Sequence, residues 1–272
     1  IGVHKDRSLP KLANEDFTSW FNSRMQPTVK QSTNRVVYFH DTWATYYHPE
    51  IGKAAVKVLE AAGFEVILVE NRVCCGRPML SKGMIDPARE SAFKNVSTLA
   101  PYALESIPIV GTEPSCILTF RDEYLDLLPN NENARVLSEN SYVLDEFLLK
   151  LHKSNELNID WKDSRPDVFY HGHCHQRSLI GNTSALEILS LSGCNVTESG
   201  AGCCGMAGSF GYESEHYEVS QTIAEDRLLP AIRKTRSETI IAVSGVSCHH
   251  QIEHLSENTT KHIAEVLANQ VG

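Results

Sequence analysis

The sequence predicts an α/β fold made of two duplicated Rossmann-like lobes, each a parallel sheet flanked by helices, the lobes related by a pseudo-two-fold axis. Three observations carry that expectation. Short apolar runs of strand length alternate with helical stretches, the pattern of βαβ units. A Cys-Cys-Gly triplet occurs twice, as Cys74-Cys75-Gly76 and Cys203-Cys204-Gly205. A further cysteine follows each triplet, Cys116 after the first and Cys248 after the second, at almost the same distance along the chain. Landmarks repeated at nearly one offset indicate internal duplication.

The elements follow in order. Residues 1–34 are polar and irregular, with Pro10 and Pro27 and a short helical candidate at 16–24, and read as a linker or docking arm. The first repeat is expected over 35–128. It has a strand at 36–39 and a helix whose face carries Ala54, Ala55, Val58, Leu59 and Ala62, closed by Gly63. A strand at 65–69 runs into the first Cys-Cys-Gly loop. A long helix over 87–104 and a strand at 107–110 then lead to Cys116. A connecting segment, 129–166, holds a helix near 142–152. The second repeat, 167–272, has strands at 167–170, 195–198 and 239–243. Its helices are expected at 184–191 and 215–233. Parallel sheets gather functional groups beyond the carboxyl ends of their strands, which is where both cysteine-bearing loops fall.

Composition excludes several classes. A hydrophobic content of 42% with 22% charged residues is that of an ordinary globular protein. A net charge of −9 and a pI near 5.7 argue against a nucleic-acid binder or an anionic-membrane binder. No apolar run approaches the roughly 18 residues of a membrane span. A cytoplasmic location is expected, with any membrane association arising through partners. Ile1 in place of Met suggests a piece of a longer chain.

Eight cysteines are too sparse for a disulfide scaffold, and adjacent cysteines pair with each other only under strain. Clustered thiols of this kind read as a metal or redox site. In the second repeat Cys174, Cys203, Cys204 and Cys248 lie on three strand-end loops that converge. Four thiolates suit a four-iron cluster or a closed zinc site. Adjacent cysteines fit one zinc ion less naturally than neighbouring irons. Cys194, beside Gly193, reads as a buried small hydrophobe. The first repeat offers Cys74, Cys75 and Cys116, with His40 or Asp41 standing roughly where Cys174 does. Whether that site binds metal stays open. Gly76 and Gly205 let the backbone turn tightly beside a bulky cofactor.

These motifs resemble the cysteine-rich CCG domain of the B subunit of heterodisulfide reductase and of the iron–sulfur subunits of glycolate oxidase and anaerobic glycerol-3-phosphate dehydrogenase. They are more similar still to the C-terminal part of fused FAD-linked D-2-hydroxy-acid dehydrogenases. The stretches concerned are Cys74-Cys75-Gly76-Arg77-Pro78, Glu113-Pro114-Ser115-Cys116, His171-Gly172-His173-Cys174-His175-Gln176 and the run from Gly202 to Gly211. Together they cover about residues 35–255. The resemblance implies a 4Fe-4S centre that relays electrons from FAD, held in a domain absent from this chain, to a quinone or carrier protein. It also implies upstream flavin and ferredoxin-like domains as partners. Where the family's fullest pattern ends each repeat in Cys-x-x-Cys, this chain has Cys116-Ile117-Leu118-Thr119 and Cys248-His249-His250-Gln251. A larger cluster using a fifth cysteine is therefore not expected.

His171, His173 and His175 alternate around Cys174 and, with His249, are candidates to flank the cofactor; the duller alternative has them bonding loop backbone. Gly205, Gly208 and Gly211 do not match a dinucleotide fingerprint. Arg77 and Glu113 are expected in structural ion pairs. The leading function is an iron–sulfur relay module. A zinc-stabilised docking domain is the alternative, and a zinc hydrolase ranks last because no H-E-x-x-H helix is present.

Overall fold

A computed structural model describes residues 2–24 and 34–272. Ile1 and residues 25–33, which include Pro27 of the expected linker, lie outside the described residues. The chain divides into two compact units, one of residues 12–160 and one of 1–11 with 161–272.

Each unit holds a four-stranded, all-parallel sheet flanked by helices, so the fold is a pair of duplicated Rossmann-like lobes. In the first lobe β1 (Arg35–Phe39), β2 (Glu65–Ile67), β3 (Ile109–Gly111) and β4 (Ser141–Val143) lie in the order β2-β1-β3-β4. In the second, β5 (Asp167–His171), β6 (Asn195–Glu198), β7 (Ile240–Val243) and β8 (Thr260–His262) lie in the order β6-β5-β7-β8. The register repeats too: Phe39, which ends β1, pairs with Gly111, and His171, which ends β5, pairs with Val243. A buried hydrogen bond recurs at the equivalent place. Tyr38 Oη meets Thr112 Oγ1 at 2.9 Å, and Tyr170 Oη meets Ser244 Oγ at 3.1 Å.

Central strands are apolar on both faces because helices cover both. Val36, Val37, Tyr38 and Phe39 are all buried, as are Val168, Phe169 and Tyr170. The helix Pro49–Ala61 carries the expected apolar face, and Gly63 ends it at φ +88°. The stretch expected as one helix over 215–233 is two, Tyr217–Asp226 and Leu228–Ile232. Pro230 explains the break, since its ring would clash with the carbonyl of Asp226 four residues back. The connecting segment contains a strand, β4, before its helix Leu144–Lys153, and β8 is likewise additional. Both are three-residue strands, too short to show a period.

The amino-terminal residues divide between the units. In the unit of 12–160, Asp16 caps the helix Phe17–Ser23, and Phe17 packs so closely on Gly52 that a Cβ there would sit 2.7 Å from its ring. In the other unit, His4 N donates to Tyr212 O and its ring stacks on Tyr217 at 3.9 Å.

Candidate metal centre

The order β6-β5-β7-β8 reverses direction between β5 and β7, and a crevice opens outside the strand ends at such a switch point. Cys174 follows β5 closely and Cys248 follows β7, so they flank that crevice, while Cys203-Cys204 enters from beyond β6. Cys174 and Cys248 are not in loops, as expected from sequence, but in the first turns of the helices Cys174–Leu179 and Val246–Leu255. Cys116 is placed the same way, in Pro114–Ile117. The strand ends turn directly into helices there, with His173 and Glu113 as caps whose side chains accept backbone amides.

The four thiols of the second lobe form a connected run. Cys203 is held well below the ordinary thiol value, first by a hydrogen bond from Cys174 and then by one from Cys204. Cys248 is also held low, chiefly by a hydrogen bond from Cys204, with His171 and His173 adding to the effect against burial. Their partners Cys174 and Cys204 are pushed up, each first by its bond to Cys203. The Gly205 amide donates to Cys203 Sγ at 3.3 Å. Gly205 has φ +91°, and a Cβ there would lie 2.2 Å from Ser220 O, so only glycine makes this turn.

The histidines take separate places. His171 is buried, with Nδ1 3.0 Å from Ser199 Oγ, and its ring also hydrogen-bonds Cys248. His173 Nδ1 accepts from His175 N at 3.2 Å, and the His173 amide donates to Ser244 Oγ. The ring of His173 covers Gly245, where a Cβ would come within 2.4 Å of it. His249 places Nδ1 2.5 Å from Thr260 Oγ1 and Nε2 3.5 Å from Glu253. Arg177 donates to the carbonyls of Ala201 and Gly202, tying the helix after β5 to the loop before the cysteines. Cys194 is buried beside Ser192 Oγ at 3.5 Å.

In the first lobe the Cys75 thiol donates to Cys116 Sγ at 3.1 Å. Cys75 Sγ also bonds Cys74, and all three thiols are pushed up. For Cys74 the bond to Cys75 comes first, and for Cys75 the bond to Cys116. Cys116 reaches about 11, because burial and the carboxylates of Asp41 and Glu113 outweigh the lowering by Cys75. Asp41 is itself raised to about 6, by burial first and then by Glu113. The Cys-Cys-Gly turn is made as in the second lobe, with Gly76 at φ +88°. Tyr124 Oη donates to Cys75 O and Asn95 Nδ2 to Cys74 O, which fixes its carbonyls.

The position matching Cys174 is neither His40 nor Asp41 but Thr42. Asp41 caps the helix Thr42–Tyr46 just as His173 caps Cys174–Leu179, and Thr42 opens its helix as Cys174 does. Thr42 also precedes Cys174 by the same spacing that separates Cys116 from Cys248, so the cysteine repeat already contained this match. His40 is turned away to Thr45 Oγ1 and Arg72, and burial lowers it to about 3. Arg77 pairs with Glu123. The clamps of Arg72 and Arg177 had no sequence signal, since each depends on a loop reaching a helix.

Fold and thiol geometry together define the class: a duplicated α/β protein with paired cysteines at a strand-end crevice. The chain belongs to the cysteine-rich CCG domain family, whose pattern matches residues 36–121 and 168–253, one match in each lobe. It is 30% identical over 271 residues to the C subunit of anaerobic glycerol-3-phosphate dehydrogenase of Escherichia coli, covering 98% of this chain and 67% of that protein. It is 24% identical over 239 residues to D-2-hydroxyglutarate dehydrogenase of Pantoea ananatis, covering 87% of this chain and 22% of that protein. Lactate utilization protein A of Halalkalibacterium halodurans is 26% identical over 249 residues, covering 87% of this chain and 97% of that protein. No helix among the described residues is long and apolar enough to cross a membrane.

Proposed function

We propose that the second lobe holds a 4Fe-4S cluster on Cys174, Cys203, Cys204 and Cys248 and serves as an electron relay in a flavin-linked dehydrogenase. The observation that carries this reading is the meeting of four thiols from three strand ends in one hydrogen-bonded run. Thiolate, not thiol, binds metal, and four thiolates are the donor set of such a cluster. The chain's residues otherwise fit a sulfur-rich, negatively charged group. The buried His171 ring hydrogen-bonds Cys248 and favours its thiolate. Gly205 brings backbone amides close, where an N–H can donate to sulfur.

When bound, the cluster supplies a one-electron store, filled by a reduced donor and emptied by an oxidant. FAD in a partner domain is the proposed donor, and a quinone or a carrier protein the acceptor. The dehydrogenase names among the relatives support a redox role over a purely structural one. Cys74, Cys75 and Cys116 form an incomplete set, with Gly76 supporting their turn.

One observation favours a second reading. The thiols touch one another, and a single zinc ion with bonds of about 2.3 Å gathers sulfurs that closely. A zinc-stabilised docking domain would follow. Anaerobic preparation with metal and acid-labile sulfide analysis separates the two. The relay gives about four iron and four sulfide per chain with an EPR signal on reduction. Stoichiometric zinc without iron would reject it.

A further inference from the structure

Arg7 lies outside both segments that match the family, yet it is built into the second lobe. Only 5% of it is exposed. Its Nε donates to Gly211 O at 2.7 Å, and its Nη2 donates to Ser220 Oγ at 3.1 Å and to Gln251 Oε1 at 2.7 Å. Gln251 stands three residues after Cys248 on one helix and returns its own amide to Ser220 O. Gly211 N in turn donates to Met206 O, closing the turn that follows Cys203-Cys204-Gly205. The guanidinium therefore ties the paired-cysteine turn to the helix bearing Cys248.

Its charge is the less ordinary part. Among the described residues no carboxylate pairs with it. Its neighbours are neutral oxygens and the rings of Tyr217 and Tyr212, at 4.9 and 6.0 Å from Cζ, and its Nη1 is buried without a partner. A buried cation without a counter-ion is costly, because nothing repays the loss of its hydration. The acidic groups within its electrostatic reach are the phenols of Tyr217 and Tyr212 and then the thiol of Cys204, the one that belongs to the site. A thiolate-bound cluster would supply the missing negative charge.

Resting on the function proposed above, we infer that Arg7 is the counter-charge of the second thiol site, a positioning residue that fixes the cysteine turn and raises the reduction potential of the group bound there. Reduction adds one negative charge to that group. A fixed cation nearby in a low-dielectric setting stabilises the reduced form more than the oxidised one.

The test compares the full chain, loaded anaerobically with iron and sulfide, as wild type, Arg7→Gln and Arg7→Lys. Iron and sulfide per chain are measured first, then midpoint potentials by EPR-monitored titration. Arg7→Gln should shift the reduced-to-oxidised ratio at fixed potential at least tenfold toward oxidised, a fall of about 59 mV for one electron. Arg7→Lys should keep a potential near wild type while both variants melt earlier. An unchanged potential in Arg7→Gln, or an equal fall in Arg7→Lys, overturns the inference alone and leaves the relay standing. Should Arg7→Gln lose the cluster, Arg7→Lys decides: loading at wild-type potential supports the inference, and failure to load overturns it. A wild-type chain that takes up no iron overturns the relay and the inference together.

Discussion

The two lobes share strand order, register, the buried tyrosine–hydroxyl bond and the glycine turn, yet their thiols behave in opposite ways. In the first, Asp41 and Glu113 stand near Cys116, and no thiol falls below its ordinary value. In the second, the matching positions are His173 and Gly245, and Cys203 and Cys248 are held low. A carboxylate opposes a neighbouring thiolate and an imidazole favours it. Thr42 in place of Cys174 removes the fourth thiol as well. A duplicated fold therefore keeps its architecture through packing while a few side chains at the strand ends set the state of its thiols.

The largest expected effect is loss of one ligand from the complete site. Cys203→Ser should abolish cluster signal and iron retention, while Cys194→Ser, altering a core thiol, should leave both intact. EPR and iron analysis of the pair check this; retention in Cys203→Ser would overturn the ligand set. Next, Cys174→Thr imposes the first lobe's residue on the second. Iron content should fall sharply, because one of the four proposed thiolate ligands is removed while the threonine hydroxyl leaves a weak oxygen donor in its place.

The reverse exchange is expected to be smaller. Thr42→Cys should allow some iron uptake by the first lobe, and adding Asp41→His with Glu113→Gly should increase it by removing both carboxylates. Iron per chain in a Cys203→Ser background reads this directly, and a triple variant no better than the single one would show that the carboxylates are irrelevant.

The smallest effect concerns a helix cap away from both thiol sites. Asp16 is lowered to about 2, first by its bond from the Thr18 hydroxyl and then by the Ser19 amide. A lowered carboxylate adds stability that is present above its ordinary value near 3.8 and is lost as pH falls toward 2. Asp16→Ala should cost about 1 kcal/mol at neutral pH, as cap losses do. The difference from wild type in denaturant unfolding should shrink below pH 4, and a difference independent of pH would discount the charge.

Much of this was legible in the residues alone. Strands β1, β5 and β7 are runs rich in β-branched or aromatic residues, and the cysteine spacing disclosed the duplication. The short strands β4 and β8 were not legible, because three residues hold no period and pair only once a sheet edge exists. The helical placement of Cys116, Cys174 and Cys248 was missed for a related reason. His173 was read as a site residue and Glu113 as an ion-pair partner, whereas both are helix caps.

The sequence by itself determined the fold class, the repeat and which thiols are candidates, since these follow from local pattern and spacing. Only the tertiary structure decided which thiols touch, and that Arg7 reaches the helix bearing Cys248 from the opposite end of the sequence. Those facts depend on loops meeting beyond the strand ends. No local propensity encodes such meetings; the packed sheet brings them about.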